Sequence, residues 1–169
     1  MIMIRPLNEY DKKVYRITRL ECLQAYPEHF GSVYEEEVLK PELYFEKCLS
    51  DKDSPNFIFG AFDEENCVGL CGFVRENSAR TKHRGEIVQM YVHPDYQGRG
   101  IGKQLLQNVI HKALENEAIE QIVLGVFSSN VSANKVYEQL GFVEYGFQPN
   151  YFKIGEDYLH QRLMILMRK

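Results

Sequence analysis

A short glycine-rich segment, Gln97–Lys103, has the residue types of an anion-binding turn. Gly98, Gly100 and Gly102 occupy alternate positions in it, and apolar residues follow at helical spacing. Glycine allows the main chain to approach a ligand closely. The first turn of a helix also has N–H groups without intrahelical acceptors and carries a partial positive charge. The segment is therefore predicted to bind an anionic group, such as a phosphate, at the start of a helix.

Two common phosphate-binding patterns do not fit this segment. The Walker A loop of nucleotide-binding proteins requires serine or threonine after its Gly-Lys pair, and here Gln104 follows Gly102 and Lys103. The dinucleotide fingerprint requires a third glycine three residues after the second. That position holds Lys103 or Leu105, depending on the starting glycine. A nucleotide-binding function is therefore disfavoured.

What does fit is the pattern Gln97-x-x-Gly100-x-Gly102, which resembles the signature loop of the GNAT superfamily of acyl-CoA N-acyltransferases. A downstream frame supports the resemblance, and its members are Asn130, Ala133, Tyr137, Gly141 and Phe142. The resemblance is good over roughly residues 68–142. It implies an acetyl-CoA-dependent N-acetyltransferase that moves acetyl to a primary amine by direct attack in a ternary complex. A non-catalytic module of the same fold that binds or senses acyl-CoA is the alternative.

The resemblance also implies which residues hold coenzyme A. The diphosphate would be bound by main-chain N–H groups of Gln97, Gly98, Arg99, Gly100, Ile101, Gly102 and Lys103. Arg99 and Lys103 would add side-chain charge, or else lie on solvated surface. The pantetheine arm would pair with the strand residues Met90, Tyr91 and Val92 as an added strand, with an N–H near Met90 stabilising the oxyanion. Asn130 and Ala133 complete the set, although Asn130 would also serve as a helix N-cap.

Two side chains are implied as catalytic. Tyr137 matches the family's general acid, which protonates the departing thiolate; a packed aromatic residue is the alternative. A lysine-like amine has a pKa near 10.4, so presenting it neutral at pH 7 costs about 4–5 kcal/mol. Glu86 matches the spacing at which some family members carry a general base. A strand-end glutamate paired with Arg84 or a lysine is the alternative.

The segment after the first helix is acidic and is expected to border the acceptor site. Its carboxylates are Glu28, Glu35, Glu36, Glu37 and Glu42. An acidic rim would attract a cationic amine such as a polyamine or a lysine side chain, whereas a solvated acidic face would have no such role. The predicted acceptor is therefore a small-molecule or peptide amine.

A strand, a turn and a helix must position these residues. Glu86–Val92 is rich in β-branched and aromatic residues, which predicts a central strand. Its even-numbered residues are expected to share one face, because side chains alternate along a strand; they are Glu86, Val88, Met90 and Val92. The helix that follows is expected to run for about 17 residues from Ile101, roughly 25 Å.

The remaining elements predict one domain over residues 1–169. Helices are expected at Glu9–Ala25, at Pro41–Leu49 and from Asn130 or Ser132 to Leu140. Other strands are expected at Met3–Leu7, Asn56–Phe62, Cys67–Val74, Gln121–Val126, Phe142–Phe152 and Tyr158–Met167. The first helix should turn an apolar stripe that includes Val14, Ile17 and Leu20 to the core. The predicted fold is α/β, with a GNAT-like, mostly antiparallel sheet of about seven strands and flanking helices.

Composition restricts the protein class further. A net charge of −4 over 169 residues gives no sign of nucleic-acid binding, and no apolar run is long enough for a membrane span. Cys67 and Cys71 lack zinc-site spacing, so no metal is predicted; in one strand they would share a face and pack. The expectation is a reduced, cytoplasmic protein, and the terminal strands leave homodimerisation open.

Overall fold

Seven strands form one mixed sheet in a computed structural model that describes residues 1–169. The strands are β1 (Ile2–Pro6), β2 (Phe57–Asp63), β3 (Asn66–Arg75), β4 (Arg84–Val92), β5 (Gln121–Phe127), β6 (Val143–Ile154) and β7 (Asp157–Met167). Their order is β1-β2-β3-β4-β5-β7-β6, and every neighbouring pair is antiparallel except β4–β5. The predicted mixed, mostly antiparallel sheet of seven strands is confirmed.

Five helices cover the two faces of this sheet. They are α1 (Lys12–Ala25), α2 (Tyr34–Glu37), α3 (Tyr44–Ser50), α4 (Ile101–Leu114) and α5 (Val131–Gln139). On one face α4 buries Leu105, Leu106 and Val109 in the larger core cluster. On the other face Tyr15 of α1 and Phe45 of α3 close a second cluster. The turn of helix α2 was not expected, and α4 has 14 residues rather than 17.

Helix α1 turns a different face to the sheet than its apolar residues suggested. Its buried side chains are Tyr15, Thr18, Arg19, Cys22 and Leu23. Ile17, expected in the stripe, is exposed. Thr18 is satisfied in the interior because its Oγ1 donates to the Val14 carbonyl at 2.9 Å. The expected stripe was wrong at Ile17, although Val14 packs against the second cluster and Leu23 is buried. Hydroxyl, thiol and guanidinium side chains occupy the rest of the buried face.

A β-bulge divides β4 into two segments that face opposite ways. The pairing with β3 gains one residue on β4 between Val88 and Tyr91, where Gln89 has a left-handed φ of 55°. Before the bulge, Val88 packs on the side of α1 and α3. After it, Met90 and Val92 pack on the α4 side, and Tyr91 faces α1. The prediction that residues 86, 88, 90 and 92 share one face was therefore wrong, because an extra residue reverses the alternation.

A second bulge, in β3, separates the cysteines of that strand. Ala61 pairs with Gly69 and Phe62 with Cys67, which leaves Val68 as the extra residue. Cys71 is consequently buried in the α4-side core, whereas Cys67 packs on the α1 side. The expectation of a shared face was wrong, although both residues do pack. All four cysteines are free thiols.

Strands β4 and β5 are joined over only part of their length. Parallel pairing connects Arg84–Glu86 to Gln121–Val123 and goes no further. Beyond Glu86 the two strands diverge, while β5 stays paired with β7 as far as Phe127. The main chain of β4 from Ile87 onward therefore has one edge without a strand partner. No helix of the chain is both long and apolar enough to cross a bilayer.

Candidate functional site

The gap between the diverging strands opens into a cleft of about 1010 Å³. One side, here called the α4 half, is formed by the loop before α4, the start of α4 and helix α5, within residues 96–103 and 130–139. The other side, here called the α1 half, is formed by residues of α1 and of the segment that follows it, within residues 19–44. Residues 86–92 of β4 run between the two halves. Of the residues predicted to form the site, all but Arg99 line this cleft.

The loop before α4 presents a run of unpaired main-chain N–H groups. None of the N–H groups from Gly98 to Lys103 donates to a protein acceptor. The neighbours on either side are paired: Gln97 donates to the Pro94 carbonyl at 3.2 Å and Gln104 to the Gly100 carbonyl at 3.1 Å. With the positive end of the α4 dipole behind them, these amides suit a diphosphate.

Two glycines of this loop have backbone conformations that other residues rarely adopt. Gly98 and Gly100 have φ of 75° and 76°, and almost nothing lies within 4 Å of where a Cβ would stand. Gly102 differs, because a Cβ there would approach Met90 Cε at 3.1 Å. The first two glycines therefore shape the turn, and the third lets α4 begin close against β4.

The two cations of the loop are placed differently. Lys103 lines the cleft. The Arg99 guanidinium donates to the Asp95 carbonyl at 2.9 Å and lies 5.0 Å from the centre of the Tyr96 ring. Arg99 thus packs outside the cleft, on the preceding turn.

Strand β4 contributes its unpartnered edge. His93 donates its N–H to the Val68 carbonyl on β3 at 2.8 Å, so the main-chain groups of Val92 point the other way, into the gap. The Val92 carbonyl accepts a hydrogen bond from Gln97 Nε2 at 3.0 Å. The same Nε2 donates to the Tyr26 hydroxyl at 3.0 Å, which ties the loop to the end of α1.

Helix α5 begins with Asn130 and brings Tyr137 into the cleft. Asn130 is the N-cap, and its Oδ1 accepts from Ala133 N–H at 3.3 Å. Its side-chain amide N–H groups are not used in this cap, so a second contact remains available. Tyr137 is 5% exposed and packs edge-to-face on Phe142, with ring centres 5.9 Å apart. Burial raises the pKa of its phenol, and no hydrogen bond counters this; the hydroxyl is therefore a proton donor at neutral pH.

Glu86 stands at the point where β4 and β5 part. Arg84, expected as its alternative partner, forms an ion pair with Glu76 at 3.3 Å instead. The Glu86 side chain is open to the cleft, yet protein surrounds enough of it that desolvation raises the pKa of its carboxyl. The charge of Glu76 raises this pKa further, and Arg84 opposes the shift. A higher pKa makes Glu86 a stronger base.

The α1 half is less acidic than the sequence suggested. Of the glutamates expected to form a rim, only Glu37 lines the cleft, and it is paired with Lys40. Arg19 lines this half, and the side chain of Tyr91 on β4 packs toward it; the sequence did not single out either side chain. A local signal for Arg19 exists, since it lies between the buried positions Tyr15 and Cys22 on one helical face.

Comparisons with known proteins agree with this geometry. The family model described as acetyltransferase (GNAT) family matches residues 12–142. N-alpha-acetyltransferase 30 of Xenopus laevis is 32% identical over 111 residues, which are 66% of this chain but only 40% of that protein. A GNAT-family acetyltransferase structure from Streptococcus pneumoniae superposes with a TM-score of 0.87 at 21% identity, covering 99% of both chains. A Salmonella typhimurium structure that holds its cofactor acetyl-CoA superposes with a TM-score of 0.80 at 17% identity, over 99% of this chain and 94% of that one.

The matched region contains the loop with unpaired amides, the diverging strands and helix α5. This protein therefore belongs to the GNAT family of acetyltransferases, whose members use acetyl-CoA.

Proposed function

We propose that this protein transfers an acetyl group from acetyl-CoA to a primary amine by direct attack in a ternary complex. The observation that carries the proposal is the run of unpaired N–H groups from Gly98 to Lys103, beside an unpartnered strand edge. Acetyl-CoA would supply the activated acetyl thioester and two phosphates that need such donors. Tyr137 and Glu86 line the same cleft and can move the two protons that acyl transfer to an amine requires.

The α4 half would hold the cofactor. Its loop amides, with Lys103, would bind the diphosphate. Main-chain groups of Met90 and Val92 would pair with the pantetheine arm as an added strand, and the free amide of Asn130 would contact the same arm. An N–H near Met90 would donate to the thioester carbonyl oxygen as negative charge develops there. Gln97 Nε2 would have to release the Val92 carbonyl, or share it, when the arm binds.

Tyr137 would donate a proton to the departing thiolate. A thiol with a pKa near 8.5 leaves without a proton more readily than an amine or alcohol does. The proton therefore adds to the rate without being indispensable. The raised pKa of the buried phenol keeps the proton in place between turnovers.

Glu86 would remove a proton from the acceptor amine through water. Glu86 lies four positions before Met90, about 13 Å along an extended strand and somewhat less across the bulge. A single hydrogen bond spans about 3 Å, so we propose that the carboxylate does not contact an amine beside Met90 directly. The proton would pass along waters in the cleft to the carboxylate.

The α-amino group is the acceptor type that we favour. The Xenopus laevis relative is named an N-alpha-acetyltransferase. An α-amine has a pKa near 7.7–8.0, so its neutral form costs about 1 kcal/mol at pH 7, against about 4–5 kcal/mol for a lysine amine. A base that acts from a distance through water is sufficient for the smaller cost of deprotonating an α-amine.

The compartment and the assembly are also proposals. Four free thiols fit the reducing cytoplasm. Strand β6 is a sheet edge 12 residues long with several large apolar side chains exposed. Unprotected edges of this kind are usually covered. We place a second copy of the chain against the β6–β7 hairpin, without a role for it in the cleft.

The function is tested by release of free thiol from acetyl-CoA in the presence of amines. The panel contains peptides with free N-termini, amino acids, lysine peptides and polyamines, with an amine-free reaction as control. Calorimetric titration with coenzyme A measures cofactor binding separately. Turnover with any amine supports transfer. Cofactor binding without turnover across the panel would favour a sensing module, and absence of coenzyme A binding would reject the proposal.

A further inference from the structure

Arg19 is the only arginine of the chain that is buried, with 4% of its surface exposed. Other arginines with neighbouring carboxylates form ion pairs at 2.5–3.3 Å, as Arg5, Arg16, Arg84 and Arg162 do. Arg19 forms none. Its Nη1 lies 3.6 Å from Cys22 Sγ, its guanidinium stands 5.0 Å from the centre of the Phe30 ring, and its Nε has no protein hydrogen-bond partner.

A second unpaired donor lies in the small cluster that Arg19 borders through Cys22. The Tyr91 hydroxyl is buried and has no hydrogen-bond partner. Tyr91 packs against Cys22, the residue that Arg19 contacts, and Phe30 packs on the same cluster. Only three buried side-chain nitrogen or oxygen atoms of the whole chain lack a partner, and two of them belong to Arg19 and Tyr91. Arg19 lines the α1 half of the cleft, and Tyr91 lines the cleft from β4 with its side chain on the α1 side.

Such an arrangement destabilises the fold unless a ligand completes it. Burying a cation without a counter-ion is costly, and an unsatisfied buried hydroxyl adds to the cost. The one carboxylate of the α1 half, Glu37, is paired with Lys40. No carboxylate of the protein therefore forms an ion pair with Arg19, which leaves such a partner to the acceptor.

We infer that Arg19 recognises a carboxylate on the acceptor, so that the substrate carries an anionic group close to its reactive amine. A guanidinium without a protein counter-ion matches a carboxylate, which accepts several hydrogen bonds. This deepens the proposed function and rests on it for the identity of the reacting amine. The acidic segment suggested a purely cationic acceptor, whereas this inference requires an acceptor that carries a carboxylate as well as its amine.

The strand geometry agrees with a short separation between the two groups. Tyr91 is the residue after Met90, near which the thioester would lie, and the bulge turns its side chain to the α1 side. A carboxylate held there would leave an amine only a few bonds away beside Met90. Two sources supply this chemistry: the α-carboxylate of a free amino acid, and an acidic side chain next to the N-terminus of a peptide.

The test compares matched acceptors with and without the carboxylate. The acceptors are free amino acids against their amides, and Ala-Asp-amide against Ala-Asn-amide. For the wild type, kcat/KM should favour the carboxylate member of one pair, and that pair identifies the source. Arg19→Met should reduce this preference by about 10- to 100-fold while activity on the uncharged member is retained. Arg19→Lys should restore part of it.

Stability provides a readout that a purely structural Arg19 would not give. Because the variant removes an unpaired buried charge, Arg19→Met should keep or raise the Tm of the free protein. The carboxylate acceptor should raise the Tm of the wild type but not of Arg19→Met. Lys13→Met, an exposed change on the same helix, is the control and should alter neither property.

The outcomes separate this inference from the proposed function. A carboxylate-dependent Tm rise that Arg19→Met abolishes, without turnover of any acceptor, would uphold the recognition site and reject acetyl transfer. Turnover with the same carboxylate preference in wild type and Arg19→Met would reject the site and uphold transfer. A lower Tm for Arg19→Met together with an unchanged preference would assign Arg19 a structural role.

Discussion

Replacing Tyr137 by phenylalanine removes a single hydroxyl from the wall of the cleft. The ring is held by its packing on Phe142 and within the larger core cluster, which phenylalanine can keep. The hydroxyl has no hydrogen bond whose loss would cost stability. We therefore expect Tyr137→Phe to change the Tm by no more than about 1–2 °C, since 1 kcal/mol corresponds to about 2–4 °C in a domain of this size.

The effect on rate should be larger. General acid catalysis contributes about 10²–10⁴-fold in typical enzymes. A thiolate is a weak base and needs a proton less than most leaving groups, so the contribution here should lie at or below the low end of that range. We expect kcat to fall by about 10- to 100-fold, which is an increase of about 1.4–2.7 kcal/mol in the activation free energy. The affinity for coenzyme A should stay within about twofold, because in the proposed mechanism the phenol would interact with the departing sulfur and not with the phosphates.

Tyr15→Phe is the matched control. Tyr15 is also fully buried, but its hydroxyl donates to Gln89 Oε1 at 2.9 Å. Removing it takes away a part-buried hydrogen bond worth about 1 kcal/mol, and the Tm should fall by about 2–4 °C. Its effect on kcat should be small, since Tyr15 does not line the cleft.

The two variants should therefore show opposite patterns in a thiol-release assay and a thermal melt. A Tyr137→Phe protein with wild-type kcat, or one that loses stability as Tyr15→Phe does, would contradict the assigned role. In that case the tyrosine would be a packing residue.

Three further changes test other parts of the cleft and the assembly. Gly98→Ala and Gly155→Ala both place a Cβ at positive φ in open space; each should cost about 1–2 kcal/mol of stability, but calorimetry should show weaker coenzyme A binding for Gly98→Ala alone. The pKa of Glu86 is raised, so its carboxylate should become protonated at a higher pH than that of an ordinary glutamate. The wild-type rate should fall as this protonation occurs, and Glu86→Gln should not show that fall. The same shift makes wild-type stability decrease as pH rises through the range in which Glu86 loses this proton, so the Tm of Glu86→Gln relative to wild type should increase with pH. Phe147→Glu on the exposed face of β6 should convert a dimer to a monomer by light scattering; a monomeric wild type would reject the proposed dimer.

The features that the sequence predicted well depend on local spacing. The loop from Gln97 to Lys103 requires only alternate glycines followed by a helical pattern, and its unpaired amides follow from the start of any helix. The cap at Asn130 and the helix end at Gly141, with φ of 95°, are equally local. Seven strands could be counted because each contains β-branched or aromatic residues between turn residues.

The features that were missed depend on pairing between distant strands and on burial. Nothing near Gln89 marks a bulge, since glycine and asparagine, the usual residues at positive φ, are absent from that position. The point at which β4 leaves β5 depends on pairing between residues far apart in the sequence: Arg84 pairs with Gln121, 37 positions later. Arg19 looked like a surface residue of a charged helix, and only the packed structure shows that it lacks a partner.

In the proposed ternary complex, the bulge in β4 would allow one strand to contact both ligands. Without the extra residue, Tyr91 would turn toward α4, and Met90 and Val92 toward α1. With it, Met90 and Val92 support Gly102 and the loop amides, whose main chain faces the cofactor half. Tyr91 instead packs on the α1 side. In the proposed complex the thioester and the acceptor would therefore lie against adjacent residues of β4, and the backbone of this strand would set their spacing.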